Sequence, residues 1–410
     1  MSHFDEAFFN APAMLTFSDA DQQQVGEKVT LLIKGQGTLA LKNPSTRSFY
    51  LNLVAGENTL SFQINEKEAR LFLMKNGVEK LIETYDVKMV QPDDAKYWYS
   101  FDSLSKVIKF GMGEVRNDLK MLEQKLDLDW LEEVEAFHIS RTAIPTELYR
   151  DPIVYDPSLL VKPTDDITID DIAYNNYIVP ANLTPSCQSL YANISGKNFN
   201  LNTSDFPDFV DAIEASIKNP DGWCYKELAK KATEFGEDNP DETYLRITLG
   251  ANQGDSPGIP FVLEIWPPGN YSPIHNHANA NAVIRVLHGE ITVKLFPMLS
   301  KYHEKPFKQK VFRKDDVTWI SPRYNQTHQL VNANKSGPTC ITIQCYLYGE
   351  DNHQHYKYFD YIGEDGKIAQ FTPNSDAGYL EFKEIMRKEW MAEKDTVFSP
   401  QETEKATLTN

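Results

Sequence analysis

From Val25 to about Val90 the chain alternates apolar and polar residues in short runs, VTLLIKG, GTLALK, FYLNLV, TLSFQI, ARLFLM and KLIETYDV, separated by GQG, NPST, AGEN and KNGV. Alternation of period two sends every second side chain to one face of a strand, and breaks rich in Gly, Asn and Pro are turns. Such a series predicts a β-sandwich or small barrel. Residues 96–118, KYWYSFDSLSKVIKFGMGEVRND, continue the strand character. Their aromatic cluster, Tyr97, Trp98, Tyr99 and Phe101, reads as core or cross-strand packing in preference to a sugar-stacking platform. Residues 118–137 change rhythm: Leu119, Leu122, Leu126, Trp130, Val134 and Phe137 follow at three- and four-residue steps and predict a helix. A Pro- and Asp-rich connector follows, and then two helices at 205–219 and 223–236, stopped by Pro220 and Gly236. Beyond Tyr244 come eight further apolar runs: YLRITLG, FVLEIW, NAVIRVLHG, EITVKLFP, KQKVFRK, VTWISP, HQLVN and CITIQCYLYG. These predict a closed antiparallel barrel or jelly roll. The fold class expected is therefore mainly β: a sandwich-like amino-terminal domain, then short helices and a jelly-roll barrel.

Composition narrows the partners. With 410 residues, 41% of them hydrophobic, the chain can bury two cores. Its 41 Lys and Arg against 59 Asp and Glu give a net charge of -18, which argues against nucleic acid and against an anionic membrane. No apolar run reaches the length of a membrane span, and acidic residues stand near the amino terminus where a secretory signal carries basic ones. A soluble, cytoplasmic protein acting on a small molecule is expected. The four cysteines, Cys187, Cys224, Cys340 and Cys345, are too sparse for a disulfide framework and read as reduced thiols. Asn182 and Asn202 head glycosylation sequons that read as chance. The absence of GxGxxG gives no sign of a flavin or nicotinamide site.

Candidate chemistry begins at PGNYSPIHNHANANAV. His275 and His277, two apart, would share one face of a strand and direct both imidazoles to a single point. The setting, from Gly269 through His275 and His277 to Gly289, is similar to the first cupin motif, and Pro322, His328 and Asn332 fall partly into the second. His328 is then the natural third ligand. Ala282 stands where that motif has glutamate, which leaves three histidines and no carboxylate. Three imidazoles on one face of an octahedral ion leave three positions open, suited to Fe(II) that binds both a substrate and dioxygen. A second HxH, His353 and His355, lies in a polar stretch and reads as solvated.

The chain from about 205 to 385 resembles the cysteine dioxygenase family of thiol dioxygenases, whose iron is held by three histidines. NPDGW, YLRITL, PIHNH, HQLVN and QCYLYG follow in that family's order, and Trp266 precedes His275 by the family's nine residues. The resemblance implies Fe(II) on His275, His277 and His328. It implies a substrate carboxylate on Arg246 beside Tyr244, a role chemically sound for a planar guanidinium. It also makes Tyr348 the active-site tyrosine, with Gln344 and Tyr346 where mammalian members have serine and histidine, and Trp266 shaping the pocket. The mammalian Cys–Tyr crosslink would need a cysteine at Ala282 and cannot form. The implied activity is oxidation of L-cysteine to cysteine sulfinic acid with both atoms of dioxygen. Arginine at Arg246 favours cysteine over 3-mercaptopropionate, whose dioxygenases carry glutamine there. Alternatives are a dioxygenase of another small thiol and a non-oxidative metal- or sugar-binding cupin. KYWYSFDSLSK also resembles, over one short stretch, the lectin-like module of proteins related to farnesoic acid O-methyltransferase, so a protein or a carbohydrate is the candidate partner of the amino-terminal domain. The expected divisions are 1–140, a connector 141–200, the dioxygenase domain 201–390 and a tail 391–410.

Overall fold

The computed structural model describes residues 14–16, 28–42, 49–65, 67–85, 95–139, 146–152, 154, 156–249, 261–278, 280–348 and 359–398. Its first part comprises strands β1 (Met14–Thr16), β2 (Lys28–Thr30), β3 (Gln36–Lys42), β4 (Phe49–Ala55), β5 (Asn58–Ile64), β6 (Ala69–Lys75), β7 (Val78–Tyr85), β8 (Lys96–Asp102), β9 (Val107–Met112), β10 (Lys120–Lys125), β11 (Ala136–Ile139) and β12 (Thr146–Tyr149). They form two six-stranded sheets, ordered β1-β12-β3-β8-β9-β10 and β2-β11-β4-β5-β6-β7. The alternation read from the sequence buries Leu51, Leu53, Leu60, Phe62 and Leu71 from one sheet against Leu39, Leu41, Tyr97, Tyr99, Phe101 and Phe110 from the other. Such rows, interdigitated across two sheets, make a sandwich core. Tyr97, Tyr99 and Phe101 project into it, Phe62 lying 4.5 Å from Phe110 and 5.6 Å from Tyr99 between ring centres. Trp98, of opposite parity, packs on the far face with Ala40, Tyr149 and Val154. All four are fully buried, as core packing requires.

The helix expected over 118–137 is absent. That stretch holds two short 3-10 turns, Asn117–Leu119 and Asp129–Glu133, with β10 and the start of β11. Leu122 pairs across to Phe110, and the turn delivers Leu131 and Val134 to the same core. Successive turns thus reproduced a helix-like spacing without a helix.

Helices α1 (Ile169–Tyr174), α2 (Pro185–Ile194), α3 (Phe209–Lys218) and α4 (Trp223–Lys231) follow, and α5 (Tyr379–Phe398) comes last. Between α4 and α5 lie β13 (Leu245–Leu249), β14 (Phe261–Trp266), β15 (Ala280–His288), β16 (Glu290–Leu295), β17 (Lys308–Arg313), β18 (Val317–Ile320), β19 (His328–Val331), β20 (Cys340–Tyr348), β21 (Phe359–Ile362), β22 (Ile368–Phe371) and β23 (Ala377–Gly378). All eight runs predicted beyond Tyr244 appear, as β13 to β20. One sheet is ordered β18-β15-β20-β14-β13-β23 and the facing one β17-β16-β19, with β21 and β22 as a hairpin. The chain passes from the first sheet to the second at Gly289 (φ 70°), where a Cβ would sit 2.7 Å from the Thr339 carbonyl oxygen. The large sheet is covered on both sides, so its strands are buried almost throughout. Leu245, Ile247, Leu263, Ile265, Val283, Ile343 and Cys345 face outward onto the helices, among them Cys187 and Leu190 of α2 and Phe382 and Met386 of α5. Tyr244, Trp266, Ala282, Ile284 and Tyr346 face inward. That second set borders the candidate site. Among the described residues no helix is long and apolar enough to cross a membrane.

Candidate metal centre

His275, His277 and His328 converge inside the barrel, with one potential ligand atom from each within 4.8 Å of the others. Residues 275 and 277 do not lie on a strand as their spacing predicts. They occupy an extended segment just before β15, held by isolated bridges of His275 to His328 and to Tyr361. The backbone N–H of His275 donates to the His328 carbonyl at 3.0 Å and the His275 carbonyl accepts the His328 N–H at 3.0 Å, so the two residues are locked opposite each other. His275 Nδ1 meets the Pro273 carbonyl at 2.9 Å and His328 Nδ1 the Asn325 carbonyl at 3.0 Å. A protonated Nδ1 in each ring leaves Nε2 unprotonated for a metal. His275 Nε2 lies 3.0 Å from His277 Nε2, and the His277 ring packs against Phe359 with centres 4.4 Å apart.

All three rings are buried. Burial, reinforced by the neighbouring His328, pushes the His275 imidazolium down to about 3, and burial pushes His328 down to about 4. His277 falls well below its usual value for the same reason. The rings are therefore neutral near pH 7, the form that ligates metal.

The cavity beside them is lined by Tyr244, Arg246, Glu264, Trp266, Gln344 and Tyr346, together with Ile284, Leu330, Phe359 and Phe371. Of the residues singled out in the sequence, Tyr244, Arg246, Trp266, Gln344 and Tyr346 all reach the histidines' cavity. Tyr244 stacks on Trp266 at 4.2 Å between centres. Tyr348 ends β20 with its backbone opposite Ala280, and its side chain lies outside the described residues, as do His353 and His355. Ala282 is fully buried opposite Tyr346, beside the inner core.

Sequence reasoning missed Glu264. It stands directly across from Arg246 in the β13–β14 register, and the two form a buried ion pair at 2.7 Å. Glu264 also accepts from Gln344 Nε2, and the Tyr346 hydroxyl donates to Gln344 Oε1. A polar chain thus runs from Arg246 through Glu264 and Gln344 to Tyr346. Burial raises the Glu264 carboxyl while Arg246 pulls it down. The signal was present in FVLEIW: one acid in the middle of an otherwise apolar strand needs a buried partner. Phe359 and Phe371 were missed as well, because they reach the site only through the closing hairpin.

Three buried imidazoles with a charged, hydrogen-bonded wall beside them form a cluster that could hold a metal ion. Residues 227–356 match the cysteine dioxygenase type I family. The matched segment contains all three histidines, Arg246 and Glu264. Parts of the chain also match solved structures at low identity. The galectin LEC-6 of Caenorhabditis elegans matches with a TM-score of 0.26 and 10% identity, covering 33% of this chain and 94% of that one. A cupin domain of an XRE family transcriptional regulator from Enterobacter cloacae gives 0.21 and 13%, with 26% and 98% covered. A cupin superfamily protein from Desulfitobacterium hafniense gives 0.20 and 13%, with 26% and 80% covered.

Proposed function

We propose that this protein is an iron-dependent thiol dioxygenase that converts L-cysteine to cysteine sulfinic acid. The observation that carries the reading is the cluster of three buried histidines, without a carboxylate among them, opening on the Arg246–Glu264 pair. Three nitrogen donors suit Fe(II) and leave positions for a thiol and dioxygen; the ion would lower the thiol's pKa and join the two reactants. The balance is R–SH + O2 giving R–SO2H, with sulfur losing the four electrons that dioxygen gains and no external reductant.

The chain's own groups choose and orient the substrate. Arg246 presents a guanidinium to the substrate carboxylate. Glu264, held across the strand from it, supplies an acceptor for the N–H groups of a substrate amine. The two together suit an amino acid thiol. They oppose 3-mercaptopropionate, which lacks the amine and would set its carboxylate beside a buried one. Tyr348 is assigned the hydroxyl that hydrogen-bonds the bound reactants, and the stacked Tyr244 and Trp266 close the cavity wall. Oxygen uptake by the Fe(II)-loaded protein, with cysteine, 3-mercaptopropionate and cysteamine offered separately, tests the reading. Cysteine should give the fastest uptake. No uptake with any of the three would overturn the enzyme.

A further inference from the structure

Polar contacts around the histidines lead out of the barrel and into the sandwich. Just after β9, Gly113 (φ 91°) lies so close to the barrel that a Cβ would sit 2.3 Å from the Pro297 carbonyl oxygen. Two charged side chains then cross the seam. Arg116 is fully buried. Its Nη1 donates to Glu114 Oε2 at 2.9 Å and to Asn325 Oδ1 at 3.0 Å, and its Nη2 to the Pro157 carbonyl at 3.0 Å. Its guanidinium lies 5.2 Å from the Phe307 ring centre and 5.7 Å from that of Tyr324. Glu114 uses its other oxygen, Oε1, to accept the Gln326 backbone N–H at 2.9 Å.

Asn325 and Gln326 in turn touch the ligands. Asn325 holds φ at 66°, in the left-handed region that asparagine adopts more readily than most residues. Its side chain is fixed at both ends, by Arg116 and by donation from Nδ2 to the Trp319 carbonyl at 2.9 Å. Its own carbonyl is the acceptor for His328 Nδ1. Gln326 Oε1 accepts the backbone N–H of His277 at 3.3 Å.

We infer that Glu114 and Arg116 are positioning residues of the metal centre: the sandwich clamps the 321–326 turn and, through it, sets the geometry of His328 and His277. The inference rests on the metal reading of the three histidines. Partners behind a ligating imidazole fix its tautomer and direction, so a displaced turn costs affinity even with every ligand intact. An arginine is required because only a fork can hold Glu114, Asn325 and the Pro157 carbonyl together.

The test is a Co(II) titration of the full-length protein, wild type and the variants Arg116→Lys, Glu114→Gln and Phe62→Leu. It reads the dissociation constant and the visible absorption bands, with circular dichroism and melting as checks of folding. Arg116→Lys should weaken Co(II) binding by about 10- to 100-fold and shift the bands. Glu114→Gln should move both in the same direction by less. Phe62→Leu, which loosens the sandwich core away from the seam, should leave both at wild-type values. Wild-type affinity and bands in both seam variants would overturn the clamp, as would a Phe62→Leu effect as large as that of Arg116→Lys. If Arg116→Lys does not fold, Glu114→Gln decides alone. Absence of Co(II) binding by the wild type would overturn the metal centre and the clamp with it.

Discussion

Glu264 changes the meaning of Arg246. A lone arginine in an apolar strand invites a carboxylate ligand, whereas an arginine already paired with a buried acid offers a mixed surface with both signs of charge. Hydrogen bonds to charged groups contribute about 1.5–3 kcal/mol, roughly a 10- to 100-fold change in specificity. Glu264→Gln, which preserves size, should lower kcat/KM for cysteine by that factor and raise activity with 3-mercaptopropionate relative to cysteine. Steady-state oxygen uptake with both thiols checks it, and an unchanged ratio of the two would remove Glu264 from substrate selection. The pair of His275 and His277 was legible from its spacing within the surrounding motif. His328 was legible from its motif, whereas Glu264 depended on which residue β14 sets opposite Arg246.

Among the elements, β13, β14, β15 and β20 do most to build the site, because alternation turns one residue parity to the cavity and the other to the helices. Arg246, Glu264, Gln344 and Tyr346 share the inner parity, and Cys345, one step along from Tyr346, lies in the outer core with its Sγ near the Leu190 carbonyl. These runs read correctly because a strand covered on both faces is apolar nearly throughout, apart from the polar groups at its cavity. The stretch 118–137 read wrongly because turns can space apolar residues by three and four as a helix does. Helix α5, absent from the sequence reading, closes the outer core: Phe382 is fully buried, with its ring 5.9 Å from Phe209 and 5.3 Å from Trp223. Phe382→Ala should cost about 3–5 kcal/mol, measured by urea unfolding. A loss below about 1 kcal/mol would mean that α5 is not part of the packed core.

At the scale of the molecule, sandwich and barrel meet through a seam close enough to exclude a side chain at Gly113. Gly113→Ala should destabilise the protein by roughly 1–3 kcal/mol, from its left-handed backbone alone and more from the contact with Pro297. Thermal melts would show it, and an unshifted midpoint would argue against a tight seam. By itself the sequence determined the two β-rich regions, the eight barrel strands and the three histidines that converge, since period-two alternation and motif spacing are local properties of the chain. The seam was decided by tertiary structure alone. The pairing of Arg246 with Glu264 joins residues 18 apart, and that of Arg116 with Asn325 joins residues 209 apart. Each exists because folding excludes water from both partners at once, and a buried charge accepts that environment only where the fold supplies its complement.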